Sequence, residues 1–382
     1  MKKVMLGLSG GVDSAVAAYL LKEQGYDVVC CFMRNWDAMA NNDVLGNPTL
    51  NDSMCPQEKD YQDAKRVAEE LDLPFLRIDF IKEYWDNVFT YFLEEYKKGR
   101  TPNPDIFCNK YIKFGPFLEF AKKNGCDYIA MGHYAKKVID KNGVPHLYKA
   151  KDLNKDQTYF LSQISDAQLE ACLFPLGDLL KEEVREIANK LDLETVKNKK
   201  DSTGICFIGE RNFKQFLENY IPSKKGKIVE EGTNKVLGEH DGVMYYTIGQ
   251  RKGLGIGGIK GIKNEGGWFV TRKDVRNNIL FVANAREDDY LVSDSCLVNN
   301  LNFFHEKIKE NTHIFVKFRY RQQDNGVTLK FIDDDTIELI FDEPYKAVTT
   351  GQAAVFYMGT RMLGGGIIEE IYYKGKRIDI KK

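Results

Sequence analysis

The sequence predicts an α/β protein: a doubly wound parallel-sheet domain, then a small central domain, then a C-terminal β-barrel-like domain. Three observations carry that prediction. Up to about Cys206 short apolar runs alternate with helix-length stretches, beyond it the pattern turns glycine-rich, and the last quarter is plainly β. VMLGL (4–8), DVVCCFM (27–33), FLRIDF (75–80) and DYIAMGH (127–133) read as strands because they are continuous apolar runs, the pattern of a sheet covered on both faces. AVAAYLLKEQG, DYQDAKRVAEELDL, IKEYWDNVFTYFLEEYKKG and IKFGPFLEFAKKNG read as the intervening helices, with Gly25, Gly99 and Gly125 where C-terminal stops belong. The stretch from Arg34 to Pro56 is long for a structureless connection, and such loops are usually functional or mobile. RNFKQFLENYI opens the central part, followed by short β-like segments rich in glycine. In the C-terminal part HIFVKFRYRQQDNGVTLKF carries an Asn-Gly hairpin signal at Asn325 and Gly326, and with TIELIFDEPYKAVTTGQAAVFY it fits a small barrel or sandwich. The domains are drawn at 1–208, 209–285 and 286–382.

Composition narrows the function classes. With 382 residues, 43% of them hydrophobic, the chain is long and apolar enough for two or three cores. Its net charge of -1 supplies no overall basic field, so any nucleic acid must be held by local patches. Eight cysteines without a Cys-x-x-Cys pair or a His/Cys cluster read as reduced thiols in a cytosol and give no protein metal site. The apolar part of MKKVMLGL is too short for a signal or a membrane span, so a cytoplasmic protein without a membrane partner is expected.

GLSGGVDS, residues 7–14, stands between the first strand and the first helix. Glycines there let backbone N–H groups converge beside the positive helix end, and Ser9 and Ser14 add hydroxyls, which makes an anion cradle. The plain alternative is a turn with Asp13 or Ser14 as N-cap. No lysine lies in the turn, so it is not a Walker loop. Asp13 would be out of place beside phosphates unless it helps hold Mg2+. The string resembles the pyrophosphate-binding loop of the ATP pyrophosphatases, a superfamily that includes amidating synthetases as well as enzymes that put sulfur into tRNA.

Two cysteines lie in polar loops. Cys108, in RTPNPDIFCNKYIKF, follows two prolines that bar helix before it and precedes a helical pattern; a thiol there is biased toward thiolate, with Lys110 and Lys113 adding positive potential. Cys206, in KNKKDSTGICFIGERNF, follows lysines 197, 199 and 200. Cys30, Cys31, Cys126, Cys172 and Cys296 sit in apolar surroundings and read as small buried hydrophobes, Cys55 as exposed.

Seven strings in order resemble the tRNA-specific 2-thiouridylase family: GLSGGVDS, FMRNWD (32–37), TPNPDIFCNKYIKF (101–114), MGHYA (131–135), KDQTYFL (155–161), DSTGICFIGERNF (201–213) and YTIGQRKGLGIGG (246–258). The resemblance implies ATP as cosubstrate, with phosphates on Gly7, Leu8, Ser9, Gly10, Gly11, Val12, Asp13 and Ser14, and with Met33 and Gly132 lining the adenosine site. It implies Asn103, Pro104 and Asp105 at the target base, Cys108 as nucleophile and Cys206 as persulfide carrier. Lys155, Asp156, Gln157, His133, Arg319, Tyr320 and Gln352 would contact tRNA, and a cysteine desulfurase or sulfur-relay protein would supply the sulfur. Taken alone, His133 reads equally as a core histidine, Met33 as packing, Arg319 and Tyr320 as a solvated strand edge and Lys155 to Gln157 as a helix start.

The chemistry implied is adenylation of the wobble uridine C2 oxygen and its replacement by sulfur. Direct transfer from Cys206, or sulfide release when Cys108 attacks, both fit, the second leaving a Cys108–Cys206 disulfide; Asp105 would act as acid or base. The base must leave its stack to be reached. Lysines 224, 225 and 227, with Arg251 and Lys252, offer basic contacts for RNA or are solvated faces. An amidating synthetase would share the loop but need no paired cysteines, and a non-enzymatic RNA-binding protein would need neither.

Overall fold

The computed structural model describes residues 1–52, 54–193, 196, 199, 212–257, 267–284, 288–305, 307–378 and 380–381. The chain runs β1 (Lys3–Gly7), β2 (Asp27–Arg34), β3 (Phe75–Asp79), β4 (Tyr128–Ala130), a hairpin of β5 (Lys136–Ile139) and β6 (Pro145–Tyr148), and β7 (Cys172–Leu173). Five of these form a parallel sheet in the order β3-β2-β1-β4-β7, with Leu6 paired to Cys30 on one side and to Ala130 on the other. All four expected strands are present; β1, β2 and β4 are largely buried between the helical layers, whereas β3 at the sheet edge is half-buried to exposed. Helix α1 (Val12–Glu23) and helix α2 (Pro56–Glu70) follow β1 and β2. Burial pushes the Cys30 and Cys31 thiols up to about 12, so they pack as hydrophobes. The chain leaves β1 toward β2 on one side and later returns to β4 on the other. The carboxyl ends of β1 and β4 therefore flank the switch point where ligands bind in open α/β sheets.

Gly25, Gly99 and Gly125 have φ of 81°, 79° and 73°, the left-handed turn that stops a helix. The third helical stretch runs over residues 81–97 but contains a π segment at Trp85–Phe89. Between Arg34 and Pro56 the described residues form turns and irregular chain only, yet the segment is fastened: Trp36 Nε1 donates to Asp43 Oδ2 at 3.0 Å, and Asn219 Oδ1 accepts from the Val44 and Leu45 amides at 3.1 and 2.8 Å.

The second sheet contains β8 (Gly226–Glu230), β9 (Val236–His240), β10 (Trp268–Asp274) and β11 (Ile279–Asn284). The third contains β12 (Val292–Phe303), β13 (His313–Lys317), β14 (Asn325–Phe331), β15 (Ile337–Lys346), β16 (Ala353–Met358) and β17 (Arg361–Tyr373). Strand β17 pairs with both β16 and β12, which closes these six into a barrel. Two short strands follow, β18 (Lys376–Arg377) and β19 (Ile380–Lys381), and β19 returns to pair with β10. The β5–β6 hairpin, though early in the chain, pairs with β17.

The Asn-Gly signal misplaces the first hairpin turn. Asn325 and Gly326 lie inside β14, opposite Val316 and Phe315, and the turn occupies residues 318–324. An ideal Cβ at Gly326 would meet the Asp342 carboxylate, a partly exposed side chain that can turn aside.

Lys273 of β10 is buried, and its ammonium donates to Gly99 O at 2.8 Å, capping the 81–97 helical run from the central sheet. Burial lowers its pKa to about 7, against 10.5 for an exposed lysine. Between those values the unfolded chain binds the extra proton, so this group makes stability rise with pH. Denaturant titrations at pH 7 and pH 9 are expected to show wild type gaining on Lys273→Met by up to about 1.4 kcal/mol per pH unit.

Candidate active site

The phosphate-loop candidate sits at the end of β1, at the switch point. Gly11 takes the N-cap position of α1 and no side chain caps the helix, which corrects the alternative that Asp13 or Ser14 does so. Ser14 Oγ instead accepts from Ser9 N at 3.1 Å and donates to Gly11 O at 3.0 Å, folding the loop over the helix start. Gly132, just after β4, closes the other wall: a Cβ there would lie 2.9 Å from Ser14 N. Met33 is buried at the end of β2 with its Cε next to Gly7.

Two lysines distant in sequence reach this loop. Lys181 Nζ donates to Asp13 Oδ1 and Oδ2 at 2.7 and 2.9 Å, and Tyr134 Oη donates to Oδ1 at 2.8 Å. Both oxygens of Asp13 are thus engaged by protein donors. Lys199 Nζ donates to Gly10 O at 2.9 Å and to Asp60 and Asp63 at 2.7 and 2.9 Å. Burial works against its charge, but the two carboxylates outweigh it and hold its pKa above the usual lysine value. Lys199 thus ties the loop to α2. Cys206, Lys197 and Lys200 lie outside the described residues.

Cys108 occupies a different place on its helix from the one expected. The helix runs Pro104–Cys108 with Asn103 as N-cap, its Oδ1 accepting from Asp105 N at 3.1 Å. Proline at the first helical position removes only an amide that needs no partner, so Pro104 starts the helix instead of barring it. Cys108 is therefore a full turn inside the helix and fully buried, not at the helix N-terminus as expected. A π segment, Asn109–Lys113, carries the chain onward. Lys110 turns to Gln163 Oε1 at 3.2 Å, and burial lowers its pKa.

The loop leading to Asn103 is gripped from the barrel: Thr101 N donates to Thr350 O at 2.9 Å, and Gln352 Nε2 donates to Thr101 O at 2.6 Å. Arg319 Nη2 donates to Thr349 Oγ1 at 2.8 Å and Ile248 O at 3.3 Å, joining the same support to the central part. Arg319 and Tyr320 do not alternate along a strand, since β13 ends at Lys317; the Tyr320 ring packs on Phe160 at 4.4 Å. Gln352→Ala removes a hydrogen bond worth about 1 kcal/mol, so kcat/KM for the RNA substrate is expected to fall ~5-fold with nucleotide affinity unchanged, as steady-state kinetics would show.

Asp156 is buried, accepting from Ala150 N at 3.1 Å and Thr158 Oγ1 at 2.8 Å, and burial raises its pKa. Gln157 exchanges bonds with Tyr134: Gln157 N donates to Tyr134 O at 2.8 Å, and Tyr134 N donates to Gln157 Oε1 at 3.0 Å. These two brace the fold, while Lys155 is partly exposed; the helix, a 3-10 turn, starts after them at Thr158. Tyr159 Oη then donates to Ala353 O at 3.1 Å, so KDQTYFL locks the parallel-sheet domain onto the barrel. His133 is buried against Phe114 at 6.1 Å, and its Nδ1 finds no partner, so backbone does not satisfy it. Burial, then Lys113, holds its pKa well below the ordinary value, leaving it neutral at pH 7. The contact of Phe114 with His133, beside Gly132, joins the cysteine-bearing segment to the phosphate crevice. Lysines 224, 225 and 227, Arg251 and Lys252 are exposed.

A parallel sheet with an SGGVDS loop at its switch point, followed by two β units, defines a three-part protein whose first domain is built to hold a ligand at that switch point. Family models match in the same order: "tRNA methyl transferase HUP domain" over residues 2–210, "tRNA methyl transferase PRC-barrel domain" over 214–284 and "Aminomethyltransferase beta-barrel domain" over 293–368. Curated relatives named tRNA-specific 2-thiouridylase MnmA are 56% identical in Mycoplasma capricolum and 57% in Mycoplasma mycoides, each over 97% of this chain and 99% of the relative. That of Lacticaseibacillus paracasei is 53% identical over 97% of this chain and 95% of its own. The chain belongs to the tRNA-specific 2-thiouridylase family and is a tRNA sulfurtransferase.

Proposed function

We propose that the enzyme converts the wobble uridine of glutamate, glutamine and lysine tRNAs to 2-thiouridine in the cytoplasm, taking sulfur from a persulfide on Cys206. ATP, entering with Mg2+ on its phosphates, supplies the adenylyl group that makes the C2 oxygen a leaving group. Backbone N–H groups of residues 7–14 receive the phosphates, and Met33 and Gly132 border the adenosine. Asn103, Pro104 and Asp105 receive the flipped base, Asp105 moving the proton. Cys108 thiolate attacks the inner sulfur of the Cys206 persulfide, forming a disulfide and releasing hydrosulfide. The hydrosulfide adds to C2, AMP leaves with the former oxygen, and an external dithiol returns both cysteines to thiols.

The observation that carries this reading is the connection of the Cys108 segment, through Phe114 and His133, to a phosphate loop at the switch point, in a chain similar end to end to 2-thiouridylases. Membrane attachment is not part of the proposal, and no helix among the described residues is long and apolar enough to cross a membrane. The test is stoichiometry: with a persulfide donor and unmodified tRNA, one AMP and one pyrophosphate should form per 2-thiouridine. ADP as the product, or AMP formation that needs ammonia and ignores tRNA, would overturn it.

A further inference from the structure

Asn109 directly follows Cys108 and begins the π segment Asn109–Lys113. Its N–H donates to Asp105 O, so the chain is still helical from Asp105 to Asn109. Residues three and four apart share a helix face, which sets Asp105, Cys108 and Asn109 side by side. Short π segments within helices are frequent at functional sites. The Asn109 side chain is buried, and its amide meets Phe160 O at 3.0 Å. A carbonyl can only accept, so the amide nitrogen is the atom that faces Phe160 and the oxygen is left over. That oxygen, Oδ1, is buried with no hydrogen-bond partner among the described residues. A buried acceptor without a donor costs free energy, and in a native fold it calls for a reason. Its place beside Asp105 and Cys108 supplies one: the missing donor belongs to the substrate.

We propose that Asn109 is a specificity-determining residue whose Oδ1 accepts the N3–H of the target uracil. The inference rests on reading Asn103 to Asp105 as the segment that receives the base and uridine C2 as the reacting atom. Uracil has one donor on its pairing edge, N3–H, set between two carbonyl oxygens. Cytosine has the same C2 oxygen but a lone pair at N3, which would meet Oδ1 acceptor to acceptor. The chemistry at C2 does not separate the two bases, so the choice between them has to be made at N3 or at the group on C4. Because N3 is bonded to C2, a residue that reads N3 must stand beside those that act on C2, as Asn109 does. The bond to Phe160 fixes the reading: turning the amide to offer its nitrogen to cytosine would set Oδ1 against the Phe160 carbonyl. Whatever admits the base to Cys108 admits it to Asn109.

The test is a ratio of kcat/KM values for thiolation by the full-length protein of two otherwise identical glutamate tRNAs, one with uridine and one with cytidine at the wobble position. Wild type is expected to favour uridine at least ~100-fold. Asn109→Leu, close in volume but without an acceptor, should lower that ratio at least ~10-fold by losing rate on uridine, with ATP affinity within ~2-fold of wild type. Asn109→Asp keeps an acceptor and gives up the donor to Phe160, so it should hold the ratio within ~3-fold even where its rate and Tm fall. An unchanged ratio in Asn109→Leu, with both tRNAs slowed alike, would make Asn109 a structural brace and overturn the inference while the 2-thiouridine reading stands. A ratio that collapses equally in Asn109→Asp would assign the effect to the Phe160 bond and also overturn it. Wild type that thiolates cytidine within ~10-fold of uridine would do the same without any variant having to fold. Wild type that thiolates neither tRNA would remove the 2-thiouridine reading and the inference together.

Discussion

Cys108→Ser is expected to abolish 2-thiouridine formation, a loss of at least ~10³-fold in turnover, while ATP and tRNA affinities stay within a few-fold of wild type. A serine hydroxyl is nearly the size of the thiol, so the buried position on the Pro104–Cys108 helix should be refilled with little change in packing. What disappears is the nucleophile: a hydroxyl at its ordinary pKa neither attacks a persulfide nor forms the disulfide that releases hydrosulfide. A mercury-containing gel run on the reacted tRNA, with filter binding of the same protein, checks both halves. Thiolation by Cys108→Ser at a tenth of the wild-type rate or more would remove Cys108 from the chemistry.

Gly10→Ala should be strongly damaging to the first domain. Gly10 has φ of 72°, which costs any other residue about 1–2 kcal/mol, and its Cβ would lie 2.4 Å from Asp60 O. Backbone must then yield on one side, either the loop or the start of α2. The expected result is a destabilisation of roughly 3 kcal/mol, read as a lowered Tm, together with loss of measurable ATP binding. Unchanged ATP affinity would show that the loop conformation is not the one the nucleotide uses.

The first domain was legible because its strands and helices obey local rules: apolar runs for a doubly covered sheet, and glycines at helix ends. The barrel's existence was legible, but its closure was not, since β12 meets β17 across most of the C-terminal part and no local pattern encodes such a partner. The Asn325-Gly326 signal failed because the dipeptide begins the strand after the turn, where Asn325 pairs with Val316 and Gly326 with Phe315. Cys108 was misplaced on its helix because proline excludes helix interiors and favours the first helical position, and only the structure decides which applies. Sequence reasoning found the loop and missed Lys181 and Tyr134, whose roles depend on contacts 168 and 121 positions away. A single charged residue opening an ordinary helix gives no local sign of such a contact. Of the residues expected at tRNA, Asp156, Gln157, Arg319 and Gln352 also hold hydrogen bonds within the fold, contacts that no local pattern signals.

The central claim is that sulfur carried on the protein reaches uridine only after ATP has activated it. Enzyme loaded with ³⁵S-persulfide, freed of donor and mixed with unmodified tRNA in a single turnover, tests this directly. The account predicts that label moves into 2-thiouridine only when ATP is present, with one pyrophosphate released per sulfur transferred. Label that enters tRNA without ATP, or that stays on the protein while ATP is consumed, would contradict it.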